Sequence, residues 1–301
     1  MVSGSAASDG SAPESKPAPT ESVRPYSAGN RMNKLLQRVV TAAILLVVLL
    51  IVFFRLPQPA AIGSLGVFVA VAAWEWSAFL PLGRLVPRAA YTLFLLVLMV
   101  GSLWVIPDRV PIWPLLWVGL LWWGVAFIWV LRYPLKIRPV VGAVCGVLVI
   151  LPAWVALINL LTIPGQGPEY VLFVLLIVWA ADIGAYFVGR RLGRTKLAPK
   201  VSPGKTWEGL VGGLVGAAGV ALCGSWWFEW APGVLIPLAI SIAVISVVGD
   251  LTVSMFKRNA GLKDSGNLFP GHGGVLDRID SVTAAVPLFA LVVTWAGLLA
   301  Y

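Results

Sequence analysis

The chain contains nine apolar stretches that are each long enough to cross a bilayer, and this feature limits its fold more than any other. They lie near 36–54, 61–80, 87–106, 112–131, 139–161, 170–189, 209–228, 233–253 and 281–300. A helix of about 20 apolar residues spans about 30 Å of hydrocarbon. The stretches are continuous rather than alternating, which excludes the pattern of a membrane β-barrel. The sequence therefore predicts an all-α, polytopic integral membrane protein with about nine transmembrane helices.

Composition agrees with a membrane protein, because 59% of the residues are hydrophobic and only 12% are charged. Soluble domains carry about 25% charged residues. Residues 1–33 differ: they are rich in Ser, Ala, Pro and Gly and lack an apolar run. We predict that 1–33 form a disordered N-terminal tail and that 34–301 form one membrane-embedded domain. Cys145 and Cys223 lie inside apolar stretches, which indicates packing residues rather than a disulfide or a redox pair.

Basic residues predict the orientation of the chain. If the N-terminus is inside, all of the 22 lysine and arginine residues except Arg55 and Arg109 fall on the cytoplasmic side. The positive-inside rule then predicts an N-in, C-out orientation. We expect the protein to lie in the cell (plasma) membrane with its active site facing the cytoplasm. The net charge of +9 would lie beside anionic lipid headgroups, so nucleic acid is not needed as a partner.

Acidic residues are also concentrated on one side. A carboxylate inside a membrane segment costs at least about 2.5 kcal/mol, which makes it a functional candidate. Seven of the 13 acids belong to the cytoplasmic half, and they are Glu75, Asp182, Glu208, Asp250, Asp264, Asp277 and Asp280. This clustering predicts a shared site that takes a small polar substrate from the cytoplasm.

Three of these acids form a candidate metal site. Asp250 ends one apolar stretch, with Ser254 one helical turn beyond it. Asp277 and Asp280 are three residues apart at the start of the last helix, where the helix dipole favours anions. N-capping is the simpler explanation for Asp280 alone, but the pair together with Asp250 favours metal ligation. Asp182 shares a helix face with Tyr186 and could instead be tied to a neighbouring arginine.

Two charged loops carry the remaining chemistry. Residues 202–209 place a cation, two hydroxyls and an acid before a Gly-rich helix. They are not a Walker site, because residue 199 is Pro where that motif needs Gly and no strand is expected before them. Residues 254–280 hold four of the 22 bases, three of the 13 acids and the only histidine. Acids that hold metal, bases that meet phosphate and Gly that permits close approach indicate phosphoryl or nucleotidyl chemistry.

Residues 254–280 resemble, along their whole length, the signature of phosphatidate cytidylyltransferases (CDP-diacylglycerol synthases). The resemblance covers roughly 34–301, and Gly204 departs from it because the family often has Lys there. Supporting motifs are Asp182-x-Gly-Ala-Tyr186, Ser202-Pro-x-Lys-Thr-Trp-Glu-Gly209, Gly249-Asp250, Gln37-Arg38-Val-x-Thr-Ala and Glu75-Trp76.

The resemblance implies transfer of CMP from CTP to phosphatidic acid, giving CDP-diacylglycerol and pyrophosphate in phospholipid biosynthesis. It implies Mg²⁺ as cofactor, with a second, monovalent cation left open, membrane lipids as surroundings and a homodimer. Asp250, Asp277 and Asp280 match the family's cation site. Candidates for phosphate contact or catalytic support are Lys205, Lys257, Arg258, Lys263, Asp264, His272 and Arg278. Candidates for substrate binding are Ser202, Thr206, Glu208, Ser254, Asp182 and Tyr186. For His272, a hydrogen-bonded structural role is equally compatible with the sequence.

Three other functions would be expected to leave different patterns in the sequence. A transporter of ions or anionic metabolites would spread acids through the membrane and show symmetry between its halves. Neither feature is found in the sequence. A CDP-alcohol phosphotransferase would carry a D-G-x-x-A-R pattern, which is absent. A CTP-dependent lipid-alcohol kinase stays open.

Overall fold

The chain folds into a bundle of long helices with one small hairpin. The structure, a computed structural model, describes residues 1–2, 4, 28–83, 85–105, 111–268 and 273–295. Among these residues the helices are α1 (Ala28–Phe54), α2 (Gln58–Ser77), α3 (Leu85–Val105), α4 (Trp113–Leu131), α5 (Pro139–Leu161), α6 (Gly167–Leu192), α7 (Trp207–Phe228), α8 (Pro232–Asn259) and α9 (Leu276–Trp295). The strands are β1 (Lys196–Ala198) and β2 (Ser202–Thr206).

Seven of the described helices, α2 to α8, are long and apolar enough to cross a membrane. Helix α1 contributes a shorter apolar segment, Ala43–Phe54. The prediction of a helical, polytopic membrane protein is therefore confirmed, whereas the count of nine spans and the orientation stay predictions. Helix α1 begins at Ala28, ahead of the boundary predicted at residue 33, and the rest of the predicted tail lies largely outside the described residues.

The hairpin corrects our expectation that no strand precedes Gly204, Lys205 and Thr206. β1 pairs with β2 in antiparallel orientation. Trp207 N donates to Thr195 O at 3.0 Å and closes its base. These strands are too short and too polar to show a strand pattern in the sequence. The exclusion of a Walker site still stands on residue 199, which is Pro.

Apolar burial explains why so polar a hairpin takes one position. Val201, at its turn, is only 2% exposed. Its side chain belongs to the same buried cluster as Phe256, Val275 and Leu276. Burying one such side chain contributes about 1.5–3 kcal/mol. Burial of Val201 in this cluster therefore stabilises the position of the hairpin relative to α8 and the start of α9.

Glycines let α6 approach α7 closely and let α8 approach α9 closely. A Cβ at Gly184 of α6 would collide with the backbone of Gly212 in α7. A Cβ at Gly249 of α8 would lie 2.6 Å from the Asp280 carbonyl oxygen in α9. Small residues commonly mediate such close packing between membrane helices. Asp250 and Asp280 are brought together because the residue before Asp250 has no side chain.

The two cysteines are both free, but they differ in burial. Cys145 is buried, as predicted for a packing residue, whereas Cys223 is exposed on the surface of α7. The packing prediction was therefore wrong for Cys223. Its position in an apolar stretch could not distinguish a helix face that meets other helices from one that faces outward.

Candidate active site

The hairpin and α8 meet through a pair of opposite charges. The Nζ atom of Lys205 lies 2.5 Å from Oδ2 of Asp250. The other carboxylate oxygen of Asp250 accepts a hydrogen bond from Ser254 Oγ at 3.2 Å. Both partners of the ion pair keep about a quarter of their side-chain surface exposed. Lys205 of the first charged loop is therefore a direct neighbour of Asp250, a carboxylate of the predicted metal site.

Two further acids surround this pair. The negative charge of Asp250 acts on both Asp182 and Asp280, and the positive charge of Lys205 acts on the same two. Asp280 is buried, and its Oδ1 accepts a hydrogen bond from the backbone N–H of Ser281 at 2.8 Å. Three carboxylates from α6, α8 and α9 thus converge, although they are far apart in the sequence.

The ligand requirements of magnesium can be compared with this acidic group. Within the described part of the chain, no three Asp, Glu, His or Cys side chains are arranged to hold a metal ion together. Mg²⁺, however, usually binds through one or two carboxylates and keeps water or phosphate oxygens as its other ligands. Asp250 and Asp280 are carboxylates of the kind that such a site uses, and magnesium binding by them stays a prediction.

Asp277 has a different environment from the other acids. Its Oδ1 atom lies 2.6 Å from the Lys257 ammonium, and both side chains are buried. Its Oδ2 atom accepts hydrogen bonds from Ser265 N at 2.8 Å and Gly274 N at 3.0 Å. A carboxylate offers about four acceptor positions, so these three bonds leave about one. Asp277 ties the second loop to α8, and its role as a metal ligand stays a prediction.

Glu75 of α2 also holds the second loop, a role that its place among the seven clustered acids did not predict. It is 5% exposed. Its carboxylate accepts hydrogen bonds from Ser265 Oγ at 2.8 Å, Val275 N at 3.0 Å and Leu276 N at 2.8 Å. The available signal was an acid inside an apolar helix, but the sequence could not reveal a partner 200 residues away.

The other predicted substrate-binding residues have mixed environments. Thr206 caps α7, because its Oγ1 accepts from Gly209 N at 3.1 Å. Both carboxylate oxygens of Glu208 accept from Thr195 N, which stabilises the base of the hairpin. The hydroxyl of Tyr186 accepts from Arg190 at 2.7 Å. Ser202 is partly exposed on β2. These contacts are structural, and substrate binding by these residues stays a prediction.

The predicted catalytic cations lie around the same region with different exposure. Lys257 is buried against Asp277, whereas Arg258, Lys263 and Arg278 are exposed. Asp264 is exposed as well. His272 lies outside the described residues. The exposed cations are the ones that can meet a phosphate without first leaving a buried partner.

An apolar cavity of about 790 Å³ adjoins the acids. Its polar end is formed by Asp182, Asp277, Arg278, Asp280 and Ser281. The remainder is almost entirely apolar and is lined by α1, α2, α5, α6 and α9, with Leu49, Phe68, Trp154, Leu175 and Val286 among the lining residues. Such a cavity suits a ligand that has a charged head and hydrocarbon tails.

Comparison with known proteins agrees with this geometry. A sequence model of the cytidylyltransferase family matches residues 36–296. A phosphatidate cytidylyltransferase of Pseudomonas aeruginosa is 42% identical over 268 residues, which cover 87% of this chain and 97% of that protein. One from Haemophilus influenzae is 38% identical over 283 residues, covering 84% of this chain and 96% of that protein.

The chain therefore belongs to the cytidylyltransferase family, and it is a nucleotidyltransferase enzyme. The resemblance noted in the sequence is confirmed. A transporter or a lipid-alcohol kinase is not favoured, because the family match covers nearly all of the membrane domain.

The buried Lys257–Asp277 pair yields a stability prediction. Lys257→Met should destabilise the protein by about 3–5 kcal/mol, because it leaves Asp277 buried without its cation. Lys200→Met is the matched control, since Lys200 is exposed on the turn of the hairpin. Denaturation of both purified variants in detergent measures the difference. Equal stability of the two would contradict the importance of the pair.

Proposed function

We propose that this protein transfers the CMP group of CTP to phosphatidic acid, producing CDP-diacylglycerol and pyrophosphate for phospholipid synthesis. The observation that carries the proposal is the apolar cavity whose polar end is formed by Asp182, Asp277, Arg278 and Asp280. This one feature offers a place for lipid tails next to an arginine that suits a phosphate and carboxylates that could hold a cation. The family membership and the names of the similar proteins support the same reaction.

The reaction requires positioning and charge neutralisation rather than a protein nucleophile. A phosphate oxygen of phosphatidic acid attacks the α-phosphorus of CTP and forms a new P–O bond. The bond between that phosphorus and the oxygen bridging to the β-phosphate breaks, and its electron pair leaves with pyrophosphate. Both substrates are polyanions, so cations must offset their repulsion and stabilise the leaving group.

Cations of this chain would meet those phosphates. Lys205 projects from the hairpin toward Asp250, and Arg278 lines the polar end of the cavity. We assign Arg278 to the headgroup of phosphatidic acid and Lys205 to the phosphates of CTP. Arg258, in the last turn of α8, and Lys263, shortly after it, are exposed and provide further positive charge for the nucleotide. Lys257 acts differently, because its buried ammonium orients Asp277.

We further propose that Asp250 and Asp280 hold Mg²⁺, with Asp182 beside them and Asp277 contributing through its remaining acceptor position. When bound, Mg²⁺ neutralises phosphate charge and orients phosphate oxygens. The Asp250 carboxylate is also paired with Lys205, so the protein's own cation helps to place this acid. A second, monovalent cation stays a prediction of the resemblance, as does the homodimer.

Neutralising the acids tests the reaction and the metal ligands together. Asp250→Asn and Asp280→Asn should each lower kcat by at least about 100-fold, because charge stabilisation in the transition state is lost. Glu229→Gln, an exposed substitution at the far end of α7, is the control. The assay measures pyrophosphate release that depends on both CTP and phosphatidic acid. Wild-type rates in both Asn variants would refute the metal assignment, and no release by the unaltered protein would refute the function.

The cavity yields a prediction about the lipid substrate. Ala153 of α5 lines the cavity, and Ala153→Phe would fill part of it. We expect KM for a long-chain phosphatidic acid to rise at least about fivefold, since the lost apolar contact is worth about 1–3 kcal/mol. KM for CTP should not change.

Two comparisons make the lipid test specific. Ala89→Phe adds the same ring at an exposed position on α3, and it should leave both KM values unchanged. A phosphatidic acid with short acyl chains should be affected less by Ala153→Phe than a long-chain one. An equal effect on both lipids would argue that the tails lie elsewhere.

We propose an N-in, C-out orientation in the plasma membrane, with nine spans and the active site facing the cytoplasm. Glu75 and Lys257 bond to the start of α9, and Asp182 lines the same cavity as that start, so the ends of α2, α8 and α6 lie at one face. If successive helices cross the membrane in opposite directions, the C-terminal ends of α2, α6 and α8 must lie on the same side. Helix α9 has 20 residues, about 30 Å at 1.5 Å per residue, which is enough to cross the hydrocarbon core. The basic loops lie on the same face, as the positive-inside rule requires.

Cysteine labelling tests this orientation. In a Cys223→Ser background, Gly204→Cys should react with an impermeant thiol reagent only from the cytoplasmic side. Gln166→Cys, in the exposed turn between α5 and α6, should react only from outside. The reverse pattern would contradict the orientation and the access of the site to cytoplasmic CTP.

A further inference from the structure

We infer that Glu75 is a positioning residue for this active site: from α2, it caps the start of α9 and holds the second charged loop in place. The inference deepens the proposed function and rests on it for the meaning of that loop. Among the described residues, Glu75 bonds to neither the Lys205–Asp250 pair nor the Lys257–Asp277 pair. Its effect on the reaction would pass through Val275 and Leu276, which immediately precede Asp277 in the chain.

The geometry is that of a helix cap supplied by another helix. The first N–H groups of an α-helix lack partners within the helix. At α9, which begins at Leu276, the amides of Val275 and Leu276 donate instead to the two carboxylate oxygens of Glu75. An anion at this position also interacts favourably with the helix dipole. Glu75 therefore determines where the first turn of α9 lies relative to α2.

A second carboxylate completes the arrangement from the other side. Asp277 accepts from Ser265 N and Gly274 N, while Glu75 accepts from the Ser265 hydroxyl. Both acids thus bind the same two ends of the loop. Because Asp277 is one residue and Asp280 four residues beyond Leu276, any shift of the cap moves the first turn that carries them. A displacement of about 1 Å at a catalytic group can cost on the order of 100-fold in rate.

Two glycines of the loop are explained by the same carboxylate. A Cβ at Gly266 would overlap the Glu75 side chain, which supplies all three of its nearest atoms. A Cβ at Gly274 would overlap Glu75 and the Ser265 hydroxyl. Neither glycine has the positive φ that would by itself require Gly. They are needed because the loop backbone passes so close to the buried carboxylate.

The first test replaces the carboxylate with an amide of the same shape. In Glu75→Gln an NH2 group replaces one of the two acceptor oxygens, so either Val275 N or Leu276 N faces another donor instead of an acceptor. We expect hydrogen exchange at Val275 and Leu276 to accelerate at least about tenfold, with little change in peptides of α3 and α7. We also expect kcat to fall at least about tenfold while KM for CTP and for phosphatidic acid changes less than about threefold. Glu229→Gln is the matched control.

The second test is a double-mutant cycle. Gly266→Ala should lower kcat as Glu75→Ala does, because the new methyl group displaces the same carboxylate. In the Glu75→Ala background, Gly266→Ala should then add less than about twofold. Gly63→Ala, at a position of α2 where a Cβ meets nothing within 4 Å, should be neutral.

The outcomes separate this inference from the proposed function. Unchanged exchange at Val275 and Leu276 in Glu75→Gln would overturn the cap. Additive effects of Glu75→Ala and Gly266→Ala, or a loss of kcat that only follows global unfolding in detergent, would overturn the positioning role. Exchange needs no substrate. It would therefore still decide whether Glu75 holds the loop if the unaltered protein released no pyrophosphate from CTP and phosphatidic acid.

Discussion

The buried ion pair between Lys257 and Asp277 is the interaction on which the site depends. Each charge would be costly to bury alone, and each is held by the other at 2.6 Å. Asp277 then extends the connection to the backbone of the second loop, and Lys257 anchors it to α8. Charges in an apolar bundle must find partners, and that requirement decides which segments of the chain lie together.

Close helix packing lets these partners meet without filling the site. Gly249 removes a side chain where α8 crosses α9, and Gly184 does the same where α6 crosses α7. Asp250 follows Gly249, and Asp182 precedes Gly184 by two residues. These acids therefore lie near one another without being fully covered. Asp182 and Asp280 both border the apolar cavity. The same small residues therefore serve packing and leave room for a ligand.

This arrangement suits a reaction between a nucleotide and a lipid phosphate. In the proposed reaction the lipid would approach along the cavity, and the nucleotide would meet the exposed cations of the two loops. Buried and exposed charges differ in their roles. Glu75 holds the backbone and Lys257 holds the Asp277 side chain, whereas Lys205 and Arg278, which are less buried, are the cations proposed to meet phosphate. This difference explains why similar residue types in one motif need not have similar roles.

The sequence by itself determined the helical membrane fold and the identity of most charged candidates, because long apolar runs and charges within them have few physical solutions. It could not determine the hairpin, since Val201 is buried in a cluster whose other members, such as Phe256 and Leu276, are distant in the chain. Nor could it distinguish Asp277, with three bonds to the loop and Lys257, from Asp250 and Asp280. Tertiary structure alone decided that Glu75 meets Leu276, because hydrogen bonds between residues 201 positions apart leave no local pattern in the chain.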